Sequence, residues 1–280
     1  MKKITAIFIS VTLIAAFGGL VYYGLMHSRG VPTVVEEPKK IILEAPFINT
    51  EIDLAKGISL EIWDNIKTEE IGLIYQLTVL PWPKKGLIPS ITVKVFHNKE
   101  DIYFYLSWED DSEDRALKTG KFSDACAIMF PMDEKAQPSS IMMGFLGRSN
   151  IWQWKASQDI QYWLNELPKT EAYVDYYYPF EEEETLSVSK VIPKSAVNDL
   201  IAIRVGTVTP KDTQNVSGRG FWKDGHWQVV FKRSLKVVDT QDDAAFNPGK
   251  RLCAFAIWNG AKGDRGGRKS ISDWVELKIR

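Results

Sequence analysis

Histidine is scarce in this chain: His27, His97 and His226 are the only three in 280 residues. A metal centre built from several imidazoles is therefore nearly ruled out. Cysteine is sparser still, with Cys126 and Cys253 far apart. No C-x-x-C-H occurs, so the usual motif for covalent c-type haem attachment is missing. The two thiols either join in one disulfide, as an oxidising compartment would favour, or stay buried and free. Excess charge is absent too, since 35 Lys and Arg against 36 Asp and Glu leave a net charge of −1. No global field then draws the chain to nucleic acid or to an anionic surface. No nucleophile stands beside a base in a catalytic motif, which leaves an independent hydrolase without support.

Apolar and aromatic residues are plentiful. Hydrophobic residues make up 45% and aromatics 12%, with ten Trp, so a sizeable core is feasible in one large domain or two small ones. At the N-terminus, Lys2 and Lys3 precede an uncharged run over 4–26. That length matches a bilayer core of roughly 30 Å. We expect one N-terminal apolar helix within 1–30, an uncleaved anchor in preference to a cleaved signal, although Ala15, Ala16 and Gly18 give a weak cleavage site. Either form exports the rest of the chain, with the lysine end cytoplasmic. Pro32, Pro38 and the charged run at 36–40 read as a linker, taken as 31–45, ahead of a domain over 46–280.

From residue 41 onward the pattern favours strands. Strands are expected over 73–80, 91–96, 102–108, 124–130, 201–208, 227–231 and 252–258. The 97–101 segment links two of them as a hairpin, and Asp224-Gly225 turns another, with 227–235 as its return arm. One clear helix is expected at 158–165. Acidic residues 109–114 read as a solvated turn in preference to a calcium loop, whose ligand spacing they lack. Tyr173 to Glu184 begins an aromatic and acidic surface insertion. Many short strands with Gly/Pro turns point to a mainly β chain, an antiparallel β-sandwich with few short helices.

Two stretches carry residues able to do chemistry. In the first, Met142 and Met143 stand before Gly144, followed by Trp152 and Trp154. Thioethers are soft, neutral ligands for haem iron, although most methionines fill cores. The second stretch holds Lys269 behind Gly266, Gly267 and Arg268. A lysine is ordinarily a solvated cation, and it ligates only after burial strips its proton. Arg265 and Arg268 suit carboxylates. His226 and His97, both expected at the surface, are rival ligands.

Five segments together resemble a known family: D-A-C-A-I-M-F-P at 124–131, M-G at 143–144, N-I-W-Q-W-K-A at 150–156, W-K-D-G-H-W-Q-V-V-F-K-R at 222–233, and the G-G-R-K-S-I-S-D-W run that ends at Trp274. Their order is similar to that of the haem-binding gamma subunits of the ethylbenzene dehydrogenase type, a group that includes dimethylsulfide dehydrogenase, selenate and chlorate reductases and nitrite oxidoreductase. The resemblance implies a DOMON-like sandwich holding one non-covalent haem b between a methionine and a lysine. Those positions fall on Met143, with Met142 as the alternative, and on Lys269. Asn150, Trp152 and Arg268 are then expected beside the cofactor. The implied role is non-catalytic electron transfer on the periplasmic side. Its implied partners are the iron–sulfur beta subunit and the molybdopterin alpha subunit of a DMSO-reductase-type complex, with the membrane reached through the N-terminal helix.

Two other readings stand beside this one. A haem-free, carbohydrate-binding-like sandwich would use Trp152, Trp154 and Trp222 as a sugar platform. A purely structural subunit would use Tyr176, Tyr177 and Tyr178 as a contact surface.

Overall fold

The computed structural model describes residues 41–76, 87–115, 121–133, 147–165, 193–204 and 206–280. The N-terminal apolar run, Met142, Met143, Gly144 and the 173–184 insertion lie outside the described residues. In chain order the strands are β1 (Ile42–Ala45), β2 (Glu69–Gly72), β3 (Ile74–Tyr75), β4 (Ser90–His97), β5 (Asp101–Glu109), β6 (Ala125–Pro131) and β7 (Ser149–Lys155). They continue as β8 (Val197–Ala202), β9 (Val208–Pro210), β10 (Val216–Lys223), β11 (His226–Ser234), β12 (Gly249–Trp258), β13 (Ser270–Ile271) and β14 (Val275–Ile279). Two short helices, α1 (Leu60–Trp63) and α2 (Ala156–Leu164), complete the described elements.

These strands form two sheets. One runs β1-β14-β12-β6-β7-β8-β9, with β13 and β3 added on the β12 flank, and the other runs β10-β11-β5-β4-β2. Large side chains that alternate along the facing strands fill the space between them. Trp152 meets Phe104 edge-on at 5.8 Å, and Trp154 meets Trp227 at 5.0 Å. Gly220 belongs here by necessity, since a Cβ would lie 2.2 Å from Cζ2 of Trp154. Cys126 and Cys253 are buried free thiols, which settles the disulfide question against a bond. Burial pushes the Cys253 thiol up to about 12.

Both expected hairpins are present. His97 pairs with Ile102, and Lys223 pairs with His226 across Asp224 (φ 51°) and Gly225 (φ 76°). Positive φ at both central residues is what a two-residue hairpin turn demands. Several expectations are corrected. The 201–208 run is not one strand: β8 stops at Ala202, Thr207 Oγ1 accepts from the Ile203 and Arg204 amides, and β9 begins at Val208. Of the strand expected at 73–80, only Ile74–Tyr75 is strand, and 77–80 lie outside the described residues. Residues 42–45, assigned to the linker, form the edge strand β1, and its pairing with β14 is parallel. Among the described residues the other strand pairings are antiparallel, and one isolated parallel bridge joins Phe47 to His97. Helix α2 begins two residues earlier than expected, and α1 is too short to carry a periodic signal.

Candidate functional site

The candidate site lies on the outer face of the larger sheet, and two strands build it. Along β6 the side chains alternate: Cys126, Ile128 and Phe130 join the interior core, while Ala125, Ala127 and Met129 take the other face. Along β12, Cys253, Phe255 and Ile257 face inward, and Ala254, Ala256 and Trp258 face outward. The register sets Ala256 beside Ala127, Ala254 beside Met129 and Trp258 beside Ala125. Four alanines thus form a flat, low floor, edged by Ile151, Ile271 and Trp258. Ala125, Ala127 and Ala254 are buried although they face away from the core between the sheets.

Lys269 stands at the rim of that floor. The loop after β12 turns back on itself through Gly263 and Gly266, both at positive φ. Arg265 and Arg268 close the turn by exchanging backbone hydrogen bonds of 3.0 and 2.8 Å. Asp264 accepts from the Asn259 amide at 3.1 Å, and Trp258 Nε1 donates to the Gly266 carbonyl at 3.0 Å. Strand β13 then pairs with β12 on one side and β3 on the other, so Lys269 enters at a defined register. Its Nζ lies 4.8 Å from the centre of the Trp258 ring. No carboxylate among the described residues pairs with it. Burial alone pulls its ammonium down to about 8. At neutral pH, losing the proton then costs on the order of 1–2 kcal/mol, against roughly 5 for an ordinary lysine.

The other expected site residues are placed as follows. Arg268 is half-buried, with Nε 3.6 Å from Asp264 Oδ1. Arg265 is exposed and covers the Phe122 ring at 4.6 Å. Asn150 and Trp152 are on the opposite face of the sheet from Lys269, fully buried between the two sheets. Asn150 donates to Asp199 Oδ1 at 2.6 Å and to the Leu200 carbonyl at 3.0 Å, and its own Oδ1 accepts from Trp152 Nε1 at 3.0 Å. The structure does not bring these two together with Lys269; they are core residues whose polar atoms are already engaged. Alternation along β7 sends residues 150, 152 and 154 inward and Ile151 to the floor.

His226 is exposed, as expected, but His97 is not. His97 is 9% exposed, and its ring nitrogens lie 3.1 Å from the Asn98 carbonyl and 2.9 Å from the Arg280 carbonyl, which occupies the imidazole structurally. The sugar platform fails on burial, because Trp152 and Trp154 are both 0% exposed and only Trp222 reaches the surface.

The acidic run is not a plain solvated turn either. Asp110 is buried, and its Oδ1 accepts from Asn259 Nδ2 at 3.1 Å. Asp124 accepts from the Gly260 amide at 2.7 Å, the Asp114 amide at 2.8 Å and Trp227 Nε1 at 3.0 Å. Burial, then mutual repulsion, raises Asp124 to about 7, while burial is the main cause that raises Asp110 and Asp264 to about 6. Among the described residues no group of three or more His, Cys, Asp or Glu is arranged to hold a metal ion. This network ties the loop carrying Lys269 to the end of β5.

Sequence reasoning missed the alanine floor and Gln76. The floor was signalled by A-C-A-I-M in β6 and A-F-A-I-W in β12, where small and large residues alternate. Gln76 gave no signal, because its importance comes from pairing across the sheet: its amide donates to the Lys269 carbonyl at 3.1 Å.

Comparison with known proteins adds a separate line. A family model described as ethylbenzene dehydrogenase matches residues 61–270. A protein of Haloferax mediterranei named as a respiratory nitrate reductase heme subunit is 25% identical over 78% of this chain and 66% of its own length. The dimethylsulfide dehydrogenase subunit gamma of Rhodovulum sulfidophilum is 26% identical over 88% of this chain and 80% of its own. For the chlorate reductase subunit gamma of Ideonella dechloratans the values are 24%, 64% and 60%. The chain thus spans between 60% and 80% of the length of these relatives. Among solved structures, a family 9 carbohydrate-binding module of Caldicellulosiruptor kristjanssonii in complex with cellotriose gives a TM-score of 0.43 at 11% identity, over 85% of this chain and 93% of that one.

Proposed function

Because the chain belongs to the ethylbenzene dehydrogenase family, we propose that it is a haem-carrying electron-transfer subunit of a multi-subunit oxidoreductase. Two relatives are named as gamma subunits and one as a heme subunit of such enzymes, which supports the reading. The single observation in the fold that carries it is Lys269: an amine with no ion-pair partner among the described residues, lowered by burial, at the rim of an apolar floor.

The residues present fit the group. A porphyrin is flat and apolar over most of its area, and four alanines projecting only a methyl each leave a flat surface for one. A nitrogen donor must be uncharged to bind iron, and Lys269 sheds its proton far more readily than a solvated lysine. Bound there, one non-covalent haem b supplies a one-electron ferric/ferrous couple. Lys269 supplies a nitrogen ligand. Met143, outside the described residues, supplies the thioether that raises the potential, and its role rests on the resemblance. Arg268, held by Asp264, reaches a propionate as well as its own carboxylate partner. Asn150 and Trp152 take no part in ligation; they hold β7, and with it Ile151, in register under the floor.

In this reading the chain reacts with no substrate of its own and passes electrons to or from the iron–sulfur subunit of an extracytoplasmic molybdenum enzyme. The export and the anchor rest on the apolar run at 4–26, outside the described residues; among the described residues no helix is long and apolar enough to cross a membrane. A pyridine haemochrome assay on protein purified with haem supplied tests the proposal. One haem b per chain is expected, and purification without haem overturns it.

A further inference from the structure

Gln76 presents an unmet requirement beside Lys269. The β3–β13 ladder pairs Tyr75 with Ser270 and Ile74 with Ile271. One step further along the same register, Gln76 faces Lys269, and the hydrogen bond from the Gln76 amide to the Lys269 carbonyl confirms the step. Cross-strand partners share a face of the sheet, with Cβ atoms about 5 Å apart. Gln76 is 9% exposed, and its Oε1 is shut away from solvent with no hydrogen-bond partner among the described residues. A buried carbonyl without a donor costs about 1–3 kcal/mol, so a folded chain ordinarily meets it.

We propose that Gln76 is the positioning residue for the iron ligand: its side-chain carbonyl accepts an N–H from the Lys269 amine when that amine binds haem iron. This rests on the haem reading above. An Oε1 needs a donor, and a porphyrin ring or an ionised propionate offers none. A neutral amine that has given its lone pair to iron keeps two N–H bonds, and the metal makes both better donors. The bond fixes the rotation of the amine and increases electron donation to iron, as outer partners of metal-bound histidines do. A stronger nitrogen donor favours the ferric state, so Gln76 opposes the upward pull of the methionine on the potential.

The test uses the full chain purified with haem, as wild type, Gln76→Leu and Gln76→Glu, with folding checked by circular dichroism. Three readouts are taken: haem loss to apomyoglobin, ferric electron paramagnetic resonance and reduction potential. Gln76→Leu, similar in size without an acceptor, is expected to lose haem about tenfold faster or more, to change the ferric signal and to raise the potential. Gln76→Glu, a stronger acceptor, is expected to keep haem loss slow and to lower the potential below wild type. Should Gln76→Leu fail to fold, Gln76→Glu decides alone by a lowered potential, and an unchanged potential overturns the proposal. Wild type with haem and an insensitive Gln76→Leu sinks this inference only, whereas wild type without haem sinks the parent reading along with it.

Discussion

The Lys269 ammonium lies 4.8 Å from the centre of the Trp258 ring and has no carboxylate beside it among the described residues. The indole face attracts it, but not enough to offset the loss of water. In the haem-free chain Lys269 is therefore expected to titrate near 8, against an ordinary value of 10.5. Reductive methylation with carbon-13 and nuclear magnetic resonance over pH 6–11 reads this directly. One dimethyl-lysine signal should move near pH 8, apart from the rest, and should disappear in Lys269→Ala.

Gly220 is expected to tolerate no side chain. A methyl there would meet three atoms of the Trp154 indole, at 2.2 to 2.8 Å, and Trp154 is held by its hydrogen bond to Asp159. Gly220→Ala should destabilise the sandwich by about 1–3 kcal/mol, the usual cost of overpacking. Chemical denaturation measures it. Gly225→Ala strains a turn in open space instead and should cost about 1 kcal/mol.

A buried ion network pins the opposite end of the larger sheet. Lys211 bonds Asp199 at 3.0 Å and also Asp243, and Arg233 lies 3.1 Å from Asp243, with all four side chains at most 2% exposed. Burial works against the Asp243 carboxylate, but Lys211 and Arg233 hold it down to about 2. Lys211→Met leaves two buried carboxylates short of a partner and should cost about 3–5 kcal/mol. Urea unfolding of the variant at pH 7 checks the figure.

The carboxyls of Asp110, Asp124 and Asp264 give the protein a pH dependence of definite sign. With folded values near 6 to 7 against an ordinary 3.8, the folded chain holds protons that the unfolded chain has released. Their contribution to stability is present below about pH 4 and is lost as pH rises through about 7. Asp110→Asn keeps the acceptor for Asn259 and removes one charge from the cluster. It should gain about 2–3 kcal/mol at pH 8 relative to wild type and little at pH 4, where the unfolded chain has only begun to release the proton. Denaturation midpoints at the two pH values decide it.

Much of this architecture could be read from the residues. Alternation and an Asp-Gly turn located the β10–β11 hairpin, because period two and positive φ are local properties. The break at 203–207 was hidden, since Ile203 and Val208 continue an apolar run while a threonine hydroxyl caps the turn. Asn150 and Trp152 were assigned to the site because they sit in a motif of the family. Their side of β7 is set by pairing with Phe130 and Ile128, which a single chain does not announce. Gln76 was invisible for the same reason: it meets Lys269 only across a ladder that joins positions nearly two hundred residues apart.

The most direct test of the account is the near-infrared and electron paramagnetic resonance spectrum of the ferric protein, which reports the two axial ligands. Wild type and Met142→Ala are predicted to show one low-spin haem with thioether and amine ligands. Lys269→Ala and Met143→Ala should each lose that signature while the chain stays folded. A folded, haem-loaded protein whose spectrum is unchanged by Lys269→Ala would contradict the account.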